Sequence, residues 1–307
     1  MTSPVDGVAY TGVMVGRDPS FHGHRATTIP TIVVPVRFTF SDGTVLDPGA
    51  PDSCIGNNSV TALVTNSPIF NNAPYTINGV NIGTTQFGDA FQRANFWSYV
   101  AGTPYHTDLN VTVANTVNIT VNGPASAFGC GKYGAIDINN WDITLQQQII
   151  PSLGPQGVGP TTLPVFILPN VALCDQTGCA LGYHSAYNSA AMQTYVVAMV
   201  DTTGRFGGAD ISALSHEVGE WLDDPATTNV APSWGHIGQV SGCQADVEVG
   251  DPLTGTAAPV VALNGFNYHL QELAFFSWFF RQSPSLGAGS VYSSNSTFKG
   301  GAGVVCH

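Results

Sequence analysis

The chain has 307 residues and a formal net charge of −12, with 8 lysines and arginines against 20 aspartates and glutamates. That balance excludes nucleic-acid binding, which demands clustered basic residues. Hydrophobic residues make up 43% of the chain and charged residues only 9%, so a core is well supplied and buried ion pairs are few. A fold built this way is expected to be less sensitive to acid.

Met1–Ser20 lacks the basic region and apolar run of a signal peptide. Residues 1–28 read as irregular. Thr31–Phe40 is β-branched and aromatic and predicts a strand, with a proline that points to an edge or a bulge. A Gly/Pro/Asp loop follows over Ser41–Val60. Gln86–Tyr99 predicts a helix with Phe87, Ala90, Phe91, Ala94 and Trp97 on one face, and with Asp89 and Arg93 paired on its solvent side. The alternation through Asp108–Val121 predicts a two-strand meander. Trp141–Ile150 reads as a short helix stopped by Pro151.

In the second half, Pro164–Leu168 and Thr194–Val200 predict strands. Gly204–Gly208 is a flexible link. Asp210–Asp224 predicts a helix with Asp210 as its N-cap, and Pro225 ends it. Ile211, Leu214, Val218 and Trp221 or Leu222 form its apolar stripe. A loop region runs to Gly265, and His269–Arg281 predicts a last, strongly apolar helix that belongs to the core. No run of about 18 apolar residues occurs, so no transmembrane helix is expected. Strands and helices mix without regular βαβ alternation, which favours an α+β fold. The chain divides into a β-rich N-terminal lobe over 1–155 and a second lobe over 156–307, or forms one continuous domain.

Six cysteines, at 54, 130, 174, 179, 243 and 306, suit disulfides in an oxidising compartment. Cys174 and Cys179 enclose a turn-like sequence and can close a small loop, while the other pairings stay open. With the low charge, this predicts a secreted protein whose leader lies outside the sequence. The N-x-Ser/Thr triplets at Asn57, Asn110, Asn118 and Asn295 carry little weight in so Asn- and Thr-rich a chain.

The chemistry concentrates in His216-Glu217-Val218-Gly219-Glu220. Helical positions i and i+4 share a face, so His216 and Glu220 stand side by side. This is the layout of an H-E-x-x-H metal site with a carboxylate in place of the second histidine. A catalytic metal needs three protein ligands. A third histidine ten residues after the first is excluded, because that position is Ala226. Glu248 and Asp251, in the VEVGD segment, are the downstream candidates. One would ligate and the other would orient a ligand, in either order. Glu217 would be the general base beside the cation, and Tyr183, His184 or Tyr268 would stabilise the oxyanion. His22, His24, His106, His236 and His269 read as bland surface or core residues.

Four blocks in order, Gly182-Tyr183-His184, SHEVGEWLDDP (215–225), VEVGD (247–251) and FNYHLQELAFFSWFF (266–280), resemble the exordium or phosphate-induced protein family of plant cell walls and its bacterial relatives. The resemblance spans about residues 160–285. It implies an extracellular, disulfide-containing protein with a zincin-like mixed sheet and an active-site helix. It also implies a zinc site on His216, Glu217, Glu220, Glu248 and Asp251, lined by His184. The chain departs from the plant pattern at Pro252, where a Leu-Cys pair is usual. The leading expectation is a secreted, monomeric, zinc-dependent peptidase-type hydrolase acting on a peptide or cell-wall-associated substrate, which would pair with Thr194–Val200 as an edge strand. The alternative is a non-catalytic wall protein with a structural metal. A glycosidase using Glu217 and Glu220 is disfavoured, since both carboxylates leave one helix on the same side.

Overall fold

Thr31–Phe40 extends five residues further at its start and forms a 15-residue strand, β1 (Ala26–Phe40), in the computed structural model, which describes residues 1–21, 25–188, 191–207 and 209–303. His22, His24, Gly208 and Cys306 lie outside the described residues. β1 is central, not an edge. On one side it pairs, in parallel, with β2 (His106–Val113) and then with β3 (Val117–Val121). On the other side it pairs in parallel with β4 (Leu163–Pro169). Beyond β4 lies β6 (Met192–Val200), also parallel, and then the antiparallel strand β5 (Gly182–Asn188).

The two prolines of β1 sit where the ladder needs no donor. The carbonyl of Val33 accepts from Ala114, so the backbone of residue 33, and by alternation of residue 35, faces the β2/β3 side. Pairing on that side stops at Val33 and resumes at Val36, which leaves Pro35 in the gap. Pro30 faces the other way, one residue before β4 begins at Thr31. The expected meander is therefore corrected. β2 and β3 do not pair with each other but lie end to end along one edge of β1.

β4 is buried along its whole length, as an interior parallel strand must be. Alternate residues of the sheet feed two cores. Val33, Val165, Ile167 and Val196 face a core built on α1 (Phe87–Asn95) and α2 (Ser212–Asp223). Ile32, Val34, Phe166, Tyr195 and Val197 face a second core under the helical stretch from Ile138 to Ser152. Strands from either side of the 155/156 boundary share this sheet. A four-stranded sheet and several two-stranded hairpins complete a strand-rich α+β architecture with few helices. Two of the hairpins, Val230–Gly235 with Cys243–Asp246 and Val260–Leu263 with Phe266–His269, occupy the region expected to be loop. Disulfides join Cys54 to Cys130 and Cys174 to Cys179, and none of the described cysteines is free, as suits an extracellular protein.

Four helix expectations change. The helix expected over Trp141–Ile150 starts at Ile138 and is not stopped by Pro151, which lies in its last turn, Ile150–Ser152. The Gln86–Tyr99 helix breaks at Phe96 into α1 and a short turn over Trp97–Val100. α1 is buried on every side, so Asp89 and Arg93 face inward. Asp89 accepts from Thr85 and Thr107 and contacts His106, while Arg93 donates to the Tyr105 carbonyl. The apolar segment 269–281 is helical only over Phe276–Phe279. Its backbone N–H groups are taken by tertiary acceptors instead: Gln271 donates to Ser215, Leu273 to Ser294, Ala274 to Val249 and Phe275 to Tyr292. Asp210 does not cap α2. Its carboxylate is held by the N–H groups of Ile211 and His269 and by the His269 ring.

Candidate metal centre

Three elements bring the site together: α2, the edge strand β5 and the turn at residues 248–251. α2 packs across β5 and β6, pinned by a hydrogen bond from Trp221 to Thr194. Gly182 makes room for this approach, since a Cβ there would lie 2.8 Å from the Glu217 side chain. Successive β5 side chains alternate between faces. His184 therefore points at α2, while Tyr183 points to the opposite core and donates to Asp142. Tyr268 is buried elsewhere and donates to the Leu63 carbonyl. Of the three oxyanion candidates only His184 reaches the site.

α2 ends in a turn that also serves the site. The Asp224 carboxylate accepts from the N–H groups of Thr228 and Asn229. Its carbonyl oxygen lies 3.0 Å from His184 Nε2 and accepts from it. Nε2 thereby carries a proton, and Nδ1 faces two carboxylates, with Glu217 Oε2 at 3.4 Å and Glu220 Oε2 at 3.5 Å. Glu248 Oε2 lies 4.0 Å from the same ring.

On the other side of Glu220, His216 Nε2 is 3.1 Å from Oε1 and 3.4 Å from Asp251 Oδ1. The Gly250 N–H donates to Glu220 Oε1 at 3.0 Å, and Gln239 donates to Asp251. Asp251 thus joins His216 and Glu220, and Glu248 lies on the His184 side. All six predicted residues meet. His184, Glu220 and Glu248 form one set whose donor atoms lie within 4.8 Å of one another, and His216, Glu220 and Asp251 form another. Sequence reading missed Asp224, Gln239 and Gly250. The paired aspartates that end α2 and the glycine directly before Asp251 were the available signals. A further cluster, Asp89, His106 and Asp108, is explained by structure alone, because both Asp89 oxygens are already hydrogen-bonded.

The residues are nearly all enclosed, with His184, Glu217, Glu220 and Asp251 buried and His216 8% exposed. Burial pulls both imidazoles down, but the facing carboxylates outweigh it and hold them well above the ordinary histidine value. Burial raises Glu217 and Asp251. Burial and the charge of Glu220 push Glu248 up to about 10. Burial also opposes ionisation of Glu220, yet His216 and His184 on its two sides overcome this and lower it. Four carboxylates around two imidazoles, out of water, call for protons or a cation. The mixed nitrogen and oxygen donors suit zinc or a similar divalent metal.

His216 and Glu217 form part of the wall of a cleft of about 910 Å³, together with Leu181, Gly182, Gln239 and Gln271. Glu220 and Asp251 lie behind them. The strand expected to be the substrate-pairing edge, Thr194–Val200, is β6 and is paired on both sides. The edge is β5, which pairs only with β6 among the described residues. No helix of the described residues is long and apolar enough to cross a membrane. Comparison with protein-family models, with curated proteins and with solved structures gave no match.

Proposed function

We propose that the chain is a secreted, zinc-dependent hydrolase of zincin type that cleaves peptide bonds. The carrying observation is that His216 and Glu220, one helical turn apart, meet Asp251 while Glu217 faces the cleft beside them. A divalent cation bound there supplies Lewis acidity, lowering the pKa of water and polarising a carbonyl. His216, Glu220 and Asp251 hold it. Glu217, whose pKa burial raises, takes the proton from the attacking water. His184, donating to the Asp224 carbonyl, keeps Glu217 oriented. An extended peptide entering past Leu181 and Gly182 adds to the open edge of β5. The exordium-like order of the four sequence blocks supports an extracellular setting and the choice of these residues.

Elemental analysis and a peptide-cleavage assay test this reading. Wild type should carry zinc, and His216→Ala should lose it. Glu217→Gln should keep the metal and lose cleavage by about 10²–10⁴-fold. A metal-free wild type, or undiminished cleavage by Glu217→Gln, defeats the proposal. One observation favours the rival reading, a non-catalytic wall protein with a structural metal: enclosure is nearly complete, with Glu217 only 6% exposed and His184 beside it as a further ligand. Structural sites are closed in this way. That reading expects bound metal and no cleavage in wild type.

A further inference from the structure

Glu220 is shared between two ligand sets, and its two oxygens point to different ones. Oε1 faces His216 Nε2 and, with it, Asp251. Oε2 faces His184 Nδ1, and Glu248, whose Oε2 lies 4.0 Å from Nε2 of the same ring, belongs to that set. Each set offers one imidazole nitrogen and one private carboxylate. The shared residue lies between them as a bridging carboxylate does in a two-metal site.

A second observation singles out the His184 side. Its Nε2 proton is committed to the Asp224 carbonyl. Its Nδ1, on a side chain 3% exposed, faces the oxygens of Glu217 and Glu220. Three electron-rich atoms cannot face one another in a dry site unless a proton or a cation lies among them. A histidine that donates one nitrogen to a backbone carbonyl and points the other at carboxylates is arranged as a metal ligand.

We infer that the centre holds two divalent cations bridged by Glu220, the first held by His216 and Asp251 and the second by His184 and Glu248. This rests on the metal-centre reading above and deepens it. Bridged cations of this kind sit about 3.5–4 Å apart and clamp the two sides of one reacting group. Glu217, 3.4 Å from His184 Nδ1, then stands beside the second cation as well as the first.

Metal-free protein titrated calorimetrically with Zn²⁺ alone should bind two equivalents at enclosed sites. Loaded with Mn²⁺ alone, it should give an exchange-coupled paramagnetic resonance spectrum, which isolated ions do not. Glu248→Gln, close to isosteric, should lose one equivalent and the coupling but keep the other. Asp251→Asn should do the same from the opposite side. Urea unfolding of each metal-free variant checks that it folds. One equivalent in wild type, unchanged in Glu248→Gln, overturns the second cation and leaves the single-metal centre standing. Two equivalents without exchange coupling, or two that survive both substitutions, also overturn it. No bound zinc at all removes the metal-centre reading itself.

Discussion

A Cβ built on Gly250 would collide with the imidazole of His216, while the Gly250 N–H holds the Glu220 carboxylate that His216 faces. One residue thus presses on the ring and positions its partner. The backbone of Gly250 is in the ordinary right-handed helical region, so the requirement is for space and not for glycine's conformational freedom. Gly250→Ala should therefore fold and fail locally. Overpacking of this kind destabilises by about 1–3 kcal/mol. A displaced imidazole should weaken zinc binding by about 10–100-fold, the range seen when ligand-orienting groups are lost. Zinc titration of the variant beside Gly159→Ala, where an added Cβ meets nothing within 4 Å, is the check. Unchanged zinc affinity in Gly250→Ala would show that the ring has room to move and that the 248–251 turn does not set its position. Asp251 depends on a similar neighbour, Gln239, which lies in the loop joining the strands Val230–Gly235 and Cys243–Asp246.

At the scale of elements, α2 is, like α1, covered on all sides, from Leu214 to Asp223. β5 and β6 pack on one side and α1 on another, and the segment 270–274 runs beside Gly219, where an added Cβ would run into the Leu273 side chain. Gly219→Ala pits a helix-propensity gain of about 1 kcal/mol against an overpacking penalty of about 1–3 kcal/mol. The second should win, and the urea midpoint should fall. A rise would mean that Leu273 has an alternative place to go. The same crowding explains what could be read from the sequence. α2, β1, β4 and β6 were legible because their apolar residues repeat at the helical or strand period, or run unbroken through buried strands. The long helix expected at 269–281 was not legible as extended chain, because its hydrogen-bond acceptors, Ser215, Ser294 and Val249, are remote in sequence. The β2–β3 meander failed for a similar reason: parallel pairing in series with β1 leaves the same alternation as a hairpin. Among site residues, the spacing of His216 and Glu220 was local and readable. The division of labour between Glu248 and Asp251 depended on how a distant turn meets the helix.

Over the whole molecule, burial raises most of the enclosed acids that shift, while hydrogen bonds lower the exposed Asp6, Asp42 and Asp175. Asp223 is fully enclosed, bonded to Gln92 and Asn95, and burial holds its carboxyl well above the ordinary value of 3.8. Burial likewise raises Asp224, Asp246, Asp251 and Glu217, and it contributes to the rise of Glu248 to about 10. His184 and His216 are raised by their carboxylate neighbours despite burial. Against these, Glu220 is the one enclosed acid of the centre that is lowered. A group raised in the folded state gives its full stabilisation below its unfolded pKa and loses it as pH climbs through the folded pKa. The metal-free fold should therefore bind more protons than the unfolded chain from about pH 4 upward, and stability should fall with rising pH by about 1.4 kcal/mol per pH unit for each net proton. Zinc reverses the sign, because ligands must shed protons to bind it, so its stabilisation grows as pH rises. In EDTA the urea midpoint should be higher at about pH 5 than at about pH 8, and saturating zinc should raise it more at about pH 8. Asp223→Asn should flatten part of the EDTA profile without altering the zinc increment, since Asp223 belongs to neither ligand set. A metal-free midpoint that drops on acidification from about pH 8 to about pH 5 would mean that these acids are ionised in the folded chain and held by charge partners instead of by burial.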